Sequence, residues 1–356
     1  MKEHKYSYKW TLEDAKFTKD KGKVFSCFAC GGGSTMGYKL AGFDVVGMNE
    51  IDPKMAEAYI TNHKPKYSFV EDIRIFKSRD DLPQELYSLD ILDGSPPCSS
   101  FSIAGNREKD WGKDKKFREG QSKQTLDTLF FDFIDLAKEL QPKVVIAENV
   151  KGLLMGNAKE YVRKIYKDFD QAGYYCQHWL LDASKMGVPQ RRERVFFVCL
   201  RKDLAKPFLY QKDMFTKVPK LELNFKEKEI PFSEIYEKGN KERMLTGNAL
   251  DLWTDRIDTD IDLDNISTRR GRPNYMFNHK FLYSHKVSNT ITGSDNCCLF
   301  DEPRYRSNRE LRLCGSYPLD YNFKSLKNEY LIGMSVPPIM TAQIASSIYD
   351  QWLSKI

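Results

Sequence analysis

The chain has 356 residues and a formal net charge of +6, with 41% hydrophobic and 30% charged residues. This length suits one large α/β domain with a smaller second domain, and it disfavours a purely structural role. No apolar run is long enough to span a bilayer, and residues 1–23 form a polar, lysine-rich leader without a secretory signal. We therefore expect a cytoplasmic protein with no membrane partner, whose mild positive charge suits a polyanion without requiring one.

The eight cysteines lack the spacing of a disulfide framework or a zinc ribbon, so we expect reduced thiols. Cys27 and Cys30 have the spacing of a redox or metal pair. Neither a second pair nor suitably spaced histidines accompany them, and we predict no metal site.

Short apolar runs alternate with helical patterns from residue 24 to residue 200, which is typical of a mostly parallel sheet with helices on its faces. Pro53 suits the first turn of a helix and Gly173 suits a helix terminus. The predicted strands are 24–29, 44–48, 67–70, 89–92, 144–147, 174–181 and 195–200. The predicted helices are 53–62, 125–140 and 159–172.

Beyond residue 200 the alternation gives way to mixed charge, scattered prolines and an acidic stretch over 251–264. A helical pattern returns at 339–352. We predict four segments: the leader 1–23, the first part of the main domain 24–200, a smaller domain 201–288, and a return to the main domain over 289–356.

A glycine-rich turn, Cys30-Gly31-Gly32-Gly33-Ser34, follows the first predicted strand and precedes a helix. Such a turn lets a ligand approach the backbone. It lacks the Gly-Lys-Ser/Thr ending that would supply a phosphate-binding lysine, which disfavours a phosphate-binding loop. Glu50 follows the second strand, where dinucleotide-type folds place a ribose-binding carboxylate, and Asp72 after the third strand could accept from an adenine amine. Each acid alone reads as an ordinary solvated carboxylate, but together with the turn they predict a nucleoside pocket.

The segment Ser95-Pro96-Pro97-Cys98 follows the apolar run 88–92. Two prolines stiffen the backbone beside a thiol, and the end of a parallel strand is where open α/β sheets bind ligands. Cys98 is therefore a candidate catalytic thiol, with an ordinary loop cysteine as the alternative. For Glu148-Asn149 the residues alone favour a helix-capping pair, and for residues 191–194 the alternative is a solvated basic turn.

Six motifs occur in one order along the chain and together resemble the DNA cytosine-5 methyltransferases. They are Phe28-Ala29-Cys30-Gly31-Gly32-Gly33, Glu50, Gly94-Ser95-Pro96-Pro97-Cys98, Glu148-Asn149-Val150, Gln190-Arg191-Arg192-Glu193-Arg194 and Gly333-Met334-Ser335-Val336-Pro337-Pro338. The resemblance implies a Rossmann-like domain that uses S-adenosylmethionine, plus a smaller target recognition domain over the central segment. It also implies double-stranded DNA as substrate, a monomer of bacterial or phage origin, and either a cognate restriction endonuclease or an orphan methylase.

The same resemblance implies roles for individual residues. Cys98 matches the thiol that adds to cytosine C6, Glu148 the acid that donates a hydrogen bond or proton to N3, and Arg194 the arginine that holds O2. Arg192 belongs to the same motif as Arg194, and the resemblance also assigns it to the catalytic residues. The target base must leave the duplex stack to be reached. The residues that the resemblance assigns to the cofactor are Phe28, Ala29, Gly31, Gly32, Gly33, Glu50, Ile51, Asp72, Ile73, Ser95 and Pro97.

Two further segments are candidates for contact with DNA. Residues 99–123 are rich in Lys and Arg and match the family's catalytic loop, although a solvated surface loop is the alternative. Arg269, Arg270 and Arg272 form a basic cluster in the smaller domain, and we expect them to contact phosphates or guanines.

Three positions depart from the family's pattern: Cys30 replaces a glycine, Ser99 a glutamine and Met334 an asparagine. None of them removes a group that performs the chemistry. The rival functions are methylation of RNA and catalytically silent binding of DNA. Residues 101–105 resemble the DNA-acting branch, and the intact Cys98 and Glu148 favour an enzyme.

Overall fold

The computed structural model describes residues 4–97, 128–155, 158–213, 216–273 and 275–356. Its main element is a seven-stranded sheet. The strands are β1 (Lys23–Cys27), β2 (Asp44–Asn49), β3 (Tyr67–Phe69), β4 (Ile91–Gly94), β5 (Val144–Val150), β6 (Tyr174–Asp182) and β7 (Glu193–Arg201). Their spatial order is β3-β2-β1-β4-β5-β7-β6. The first five strands pair in parallel and β7 is antiparallel to both of its neighbours, which confirms the predicted mostly parallel α/β fold.

Helices connect the strands of this sheet, and further helices and short strands follow it along the chain. The helices are α1 (Gly33–Leu40), α2 (Pro53–His63), α3 (Ile73–Phe76), α4 (Leu129–Leu140), α5 (Ala158–Gln171), α6 (Gly247–Thr254), α7 (Leu263–Arg269), α8 (Asn308–Cys314), α9 (Asn328–Met334) and α10 (Pro338–Gln351). The short strands are β8 (Leu209–Gln211), β9 (Lys217–Pro219), β10 (Phe281–Leu282) and β11 (Cys298–Leu299).

Local chemistry explains where several elements begin and end. Asp52 caps α2 by accepting hydrogen bonds from the backbone N–H groups of Lys54 and Met55, and Pro53 occupies the first turn as predicted. Gly173, with φ +95°, follows α5 as the predicted terminator. Strand β1 ends at Cys27, earlier than predicted, because Phe28 takes a φ of +51° that no strand continues.

The core of the sheet is largely aromatic and aliphatic. Phe25 on β1 stacks on Phe76 of α3 at 5.3 Å between ring centroids, and Phe130 of α4 meets Phe197 of β7 edge to face at 5.6 Å. All four rings are fully buried. Because β1 to β5 run parallel, their carboxyl ends share one edge of the sheet, and the segments that follow these strands meet there.

The chain divides into two compact units. The sheet unit comprises Lys16–Asp182, Glu193–Asn224 and Thr341–Ile356, and the second unit comprises Met1–Ala15, Ala183–Arg192 and Phe225–Met340. These boundaries differ from the predicted ones. The β8–β9 hairpin belongs with the sheet because Gln177 of β6 donates to the Pro219 carbonyl at 2.7 Å. The functional assignment of the predicted domains stays a prediction.

One stretch of the described residues, Asn328–Lys355, is long and apolar enough to cross a membrane by composition. Of its most apolar window, 89% is buried inside the protein, as in the core helix of a water-soluble fold. The stretch is therefore weak evidence for a membrane span.

Candidate active site

The glycine-rich loop connects β1 to α1. Gly32 has a φ of +81°, and a Cβ there would lie 2.3 Å from Nε2 of the buried His63. Both conditions require glycine at this position. Among the described residues, no side chain caps the N-terminus of α1. The loop therefore leaves the start of the helix available to a ligand.

Cys30 stands in the same loop with a φ of +46°. It is the first of the three predicted departures from the family's pattern, and the structure shows that the non-glycine residue accepts the left-handed conformation. A side chain in that region raises the free energy of the fold by about 1 kcal/mol or more.

Glu50 follows β2 directly and its side chain reaches the glycine-rich loop. Its carboxylate accepts hydrogen bonds from the backbone N–H groups of Cys30 and Asp52, each at 2.8 Å. Burial raises its pKa, although these backbone hydrogen bonds act in the opposite direction. A carboxylate has about four acceptor positions, so Glu50 can both shape the loop and accept further hydrogen bonds.

The remaining residues assigned to the cofactor lie at the same edge of the sheet. Asp72 caps α3 and its carboxylate binds the Arg74 guanidinium at 2.6 Å. Burial would raise the pKa of Asp72, but hydrogen bonds from Arg74 outweigh it and hold the pKa below its ordinary value. Ala29 and Ile73 are buried, whereas the partly buried residues are Phe28, Ile51, Ser95 and Pro97.

Glu148 and Arg194 form an ion pair on adjacent strands. Arg194 Nε lies 2.9 Å from Glu148 Oε1, and the two side chains are only 16% and 12% exposed. Because Arg194 pairs with Val150 in the register of β5 and β7, it lies on the same face as Glu148. Glu148 and Asn149 are both within β5, so the helix-capping alternative is wrong.

Asn149, the middle residue of the Glu148-Asn149-Val150 motif, also has a defined position in the structure. Its Nδ2 donates to the Pro96 carbonyl at 3.1 Å, and its Oδ1 accepts from the Val150 N–H at 2.9 Å. The buried amide thereby ties the end of β5 to the segment that follows β4. Cys98, Ser99 and the predicted catalytic loop 99–123 lie outside the described residues, and Pro97 is the last described residue before them.

Gln190 and Arg192 belong to the second unit and bind backbone there. Arg192 is 2% exposed and donates to the carbonyls of Ile291, Gly333 and Ser335 at 2.9 to 3.0 Å. Gln190 accepts from the N–H of Ile291 at 2.9 Å. The motif that contains Arg192 therefore holds the motif at Gly333 in place. The catalytic role of Arg192 stays a prediction, and its hydrogen bonds show that it stabilises its own unit.

The basic cluster of the second unit is partly neutralised. Arg269 binds Asp260, whose side chain is 3% exposed, and Arg270 binds Asp255. Arg272 is exposed, and the described part of the chain shows no ion pair for it. A cleft of about 460 Å³ elsewhere in this unit is lined by Arg191, Lys228, His285, Lys286 and the ring of Tyr283.

Asp93 is a buried acid that the sequence prediction overlooked. It is 4% exposed within β4 and accepts hydrogen bonds from Ser26 Oγ at 2.8 Å, from Tyr38 Oη at 2.9 Å and from the Ser34 side chain. Burial raises its pKa to about 7 against these hydrogen bonds, and the charge of Glu148 adds to the rise. A charged residue inside an apolar run was the only available signal.

Comparison with known proteins bears on these residues. The profile of the C-5 cytosine-specific DNA methylases matches residues 22–350. This chain belongs to that family. The family assignment covers the glycine-rich loop, Glu50, Glu148 and Arg194 in one match.

Individual members of the family are similar to this chain over about half of its length or over nearly all of it. The Type II methyltransferase M.FnuDI of Fusobacterium nucleatum is 40% identical over 182 residues, which are 51% of this chain and 48% of that protein. The chain thus spans about half the length of the first such relatives. The Type II methyltransferase M.NgoFVII of Neisseria gonorrhoeae is 28% identical over 351 residues, covering 95% of this chain and 89% of its own.

Solved structures show the same fold. A chain described as a DNA modification methyltransferase of an Escherichia coli prophage superposes with a TM-score of 0.63 at 20% identity. The superposition covers 92% of this chain and 99% of that chain. At this identity the likeness supports the methyltransferase fold, which agrees with the predicted Rossmann-like domain.

Proposed function

We propose that this protein transfers a methyl group from S-adenosylmethionine to C5 of cytosine within a specific sequence of duplex DNA. The observation that carries the proposal is the Glu148–Arg194 ion pair, which lies beside the Asn149 link to Pro96 at the edge of the sheet. The glycine-rich loop and Glu50 occupy the same edge. We therefore place the nucleoside of the methyl donor and the pyrimidine ring next to each other at this edge.

The residues present fit an adenosyl methyl donor. Gly32 gives the loop a left-handed turn that a Cβ would block by clashing with His63, and within the described part of the chain no side-chain hydrogen bond caps the start of α1 at this glycine. Glu50 provides a carboxylate for ribose hydroxyls. Phe28 and Ile51 are partly buried, and we assign them to the apolar parts of the donor on the resemblance to the family. When bound, S-adenosylmethionine supplies an electrophilic methyl group.

At the cytosine ring, three side chains have separate roles. Cys98 adds as a thiolate to C6 and makes C5 nucleophilic. Glu148 holds a proton at N3, which withdraws electron density as the thiolate adds. Arg194 keeps Glu148 in place through its Nε, and its Nη1 donates to the Glu193 carbonyl at 2.8 Å, so we assign its Nη2 to O2 of the base. A thiol with an ordinary pKa near 8.5 is only a few per cent ionised at neutral pH, so stabilising charge on the ring supplies the larger rate gain.

The second unit is the part that we assign to DNA recognition. Its cleft combines Arg191, Lys228 and Lys286 with Tyr283 and, among the described residues that line it, a single acid, Glu229, so basic side chains that suit phosphates predominate. Relatives named as Type II methyltransferases support action beside a cognate restriction endonuclease, with an orphan methylase as the alternative. We expect a cytoplasmic monomer of bacterial or phage origin.

The decisive experiment uses duplex DNA that contains 5-fluorocytosine, because fluorine at C5 prevents release of the added thiol. After host DNA sequencing has identified the methylated sequence, wild-type protein with S-adenosylmethionine should form a covalent adduct with that duplex. The adduct migrates as a shifted band on a denaturing gel.

Cys98→Ala should abolish the adduct while Cys176→Ala, which removes a partly buried thiol elsewhere in the sheet unit, should not. An adduct that persists without Cys98 would disprove the assigned nucleophile. A matching RNA hairpin tests the rival substrate: adduct formation with RNA alone would exclude duplex DNA as the target.

A further inference from the structure

Hydrogen bonds from three hydroxyl groups to Asp93 connect β1, β4 and α1 next to the glycine-rich loop. Ser26 lies opposite Asp93 in the register of β1 and β4, while Ser34 and Tyr38 belong to α1. All four side chains are buried, with Ser34 the most accessible at 9%. The network thus fixes the start of α1 to the end of the strand that leads to the Ser95-Pro96-Pro97 segment.

We propose that Asp93 is a positioning residue for the methyl donor, one that holds the glycine-rich loop in place and makes it prefer a cationic adenosyl ligand to an uncharged one. This inference rests on the proposed function. The donor carries a positive sulfonium, whereas the demethylated product, S-adenosylhomocysteine, carries a neutral sulfur. The remainder of the two ligands is the same.

Electrostatics gives the reason for the preference. A buried carboxylate interacts strongly with a nearby cation because the protein interior screens charge poorly. The ionised form of Asp93 accepts hydrogen bonds from all three hydroxyl groups, whereas protonation adds an O–H donor to a group whose hydroxyl partners are already donating to it. Ionised Asp93 therefore favours both the ordered loop and the cationic ligand, and protonation weakens both.

Near neutral pH, Asp93 is the group of this network that changes its charge, because the thiol and phenol groups that face it stay neutral. Burial raises the pKa of Cys27 on β1, of Tyr38 on α1 and of Tyr59 on α2, so all three stay neutral. Glu148 on β5 faces Asp93 as a charged group. The pKa of Asp93 itself, raised by burial to about 7, falls inside a range that binding experiments can cover.

Isothermal titration calorimetry without DNA tests the inference. The dissociation constants of S-adenosylmethionine and S-adenosylhomocysteine are measured between about pH 6 and about pH 8, and their ratio cancels the titration of the groups that the ligands share. For the wild type, the preference for the cation should be about tenfold greater at the upper pH than at the lower one. In Asp93→Asn the preference should be smaller and independent of pH.

Two matched variants serve as controls. Asp90→Asn makes the same substitution at the amino end of β4, where Asp90 binds Lys143 at 3.0 Å. Lys39→Gln removes a titrating group on α1, whose pKa burial lowers to about 8. Both variants should keep the wild-type dependence of the ratio on pH.

Asp93→Asn that folds, by circular dichroism, and yet keeps the wild-type preference would overturn the inference. If that variant does not fold, the wild type and Tyr38→Phe provide the test. Loss of the Tyr38 hydrogen bond should move the midpoint of the pH dependence of the ratio to higher pH. A ratio that does not depend on pH in the wild type would overturn the inference. A wild type that binds neither ligand would instead disprove the proposed function, and the inference with it.

Discussion

Cys30 places a side chain in the left-handed region of the backbone, in a loop where its neighbours are glycines. The loop tolerates it because the Cys30 N–H is fixed by the Glu50 carboxylate at 2.8 Å. The carboxylate holds the turn against the steric cost of the Cβ. The same residue that would bind a ribose therefore also maintains the conformation of the loop.

Cys30→Gly should raise the free energy of unfolding by about 1 kcal/mol, because glycine adopts a φ of this sign without a clash. Urea denaturation followed by tryptophan fluorescence measures the change. Cys30→Ala is the matched control, since it also removes the thiol but keeps the Cβ, and it should bring no gain. Equal gains in the two variants would show that the thiol, and not the backbone, limits stability.

The ion pairs at the end of helix α7 determine which of its arginines remain able to contact DNA. Arg269 ends the helix and binds Asp260, and the next residue, Arg270, binds Asp255. Hydrogen bonding from Arg269 holds the pKa of Asp260 below its ordinary value even though burial alone would raise it. Both guanidinium groups are therefore already occupied, which leaves Arg272 as the better candidate for a phosphate contact.

Arg272→Ala should reduce the slope of log affinity for DNA against log salt by about one unit, because one phosphate contact releases about one counterion. Replacing Arg269, Arg270 and Arg272 together should reduce it by the same amount, not by about three. Filter binding over a series of salt concentrations measures the slope. Arg270→Ala is the control and should leave the slope unchanged; a reduction there would mean that DNA displaces Asp255 from its pair.

At the scale of the whole molecule, both units have apolar cores, and the second unit adds buried charges. The sheet unit has a core of aromatic and aliphatic side chains, and the second unit has a smaller apolar core that includes Leu263, Ile266 and Phe281. The second unit contains fully buried ion pairs: Arg304 binds Glu310 and Arg306 binds Asp295, each with 0% side-chain exposure. Glu310 also completes the capping box of α8 with Ser307. Buried charges are destabilising when their partner is lost, so this unit depends on a few residues.

Arg304→Met should lower the stability of the second unit by about 3 to 5 kcal/mol, because Glu310 would stay buried without its main counter-charge. Urea unfolding monitored by circular dichroism measures the loss. The double variant Arg304→Met with Glu310→Leu should recover part of it, since Glu310 no longer stays buried without its counter-charge, while the capping box of α8 is lost. A single variant as stable as the wild type would show that Glu310 is satisfied by its backbone donors alone.

Much of the sheet unit could be predicted from the sequence. All seven strands and the helices α2, α4 and α5 fall where apolar periodicity indicated them, because periodicity reports which face of an element is buried. The ends were less predictable. Strand β1 stops at Cys27 because of the φ of Phe28, and no local pattern announced a left-handed phenylalanine.

The candidate site was predicted as a set of motifs, and the structure decided what their members do. Arg192 and Arg194 stand two residues apart in one motif. The first binds the carbonyls of Ile291, Gly333 and Ser335, and the second binds Glu148. Their chemical type is the same, so only their distant partners distinguish a structural arginine from one suited to chemistry.

By itself, then, the sequence determined the order of the elements that form the sheet, the family, and the edge of the sheet at which we place the ligands. Those properties follow from local patterns and from motifs that are contiguous in the chain. Only the tertiary structure decided that Asp93 is buried among hydroxyls of Ser26 and Tyr38, which lie 67 and 55 residues away. The pKa of an acid depends on its burial and on neighbours brought together by folding, and these are properties that no local pattern contains.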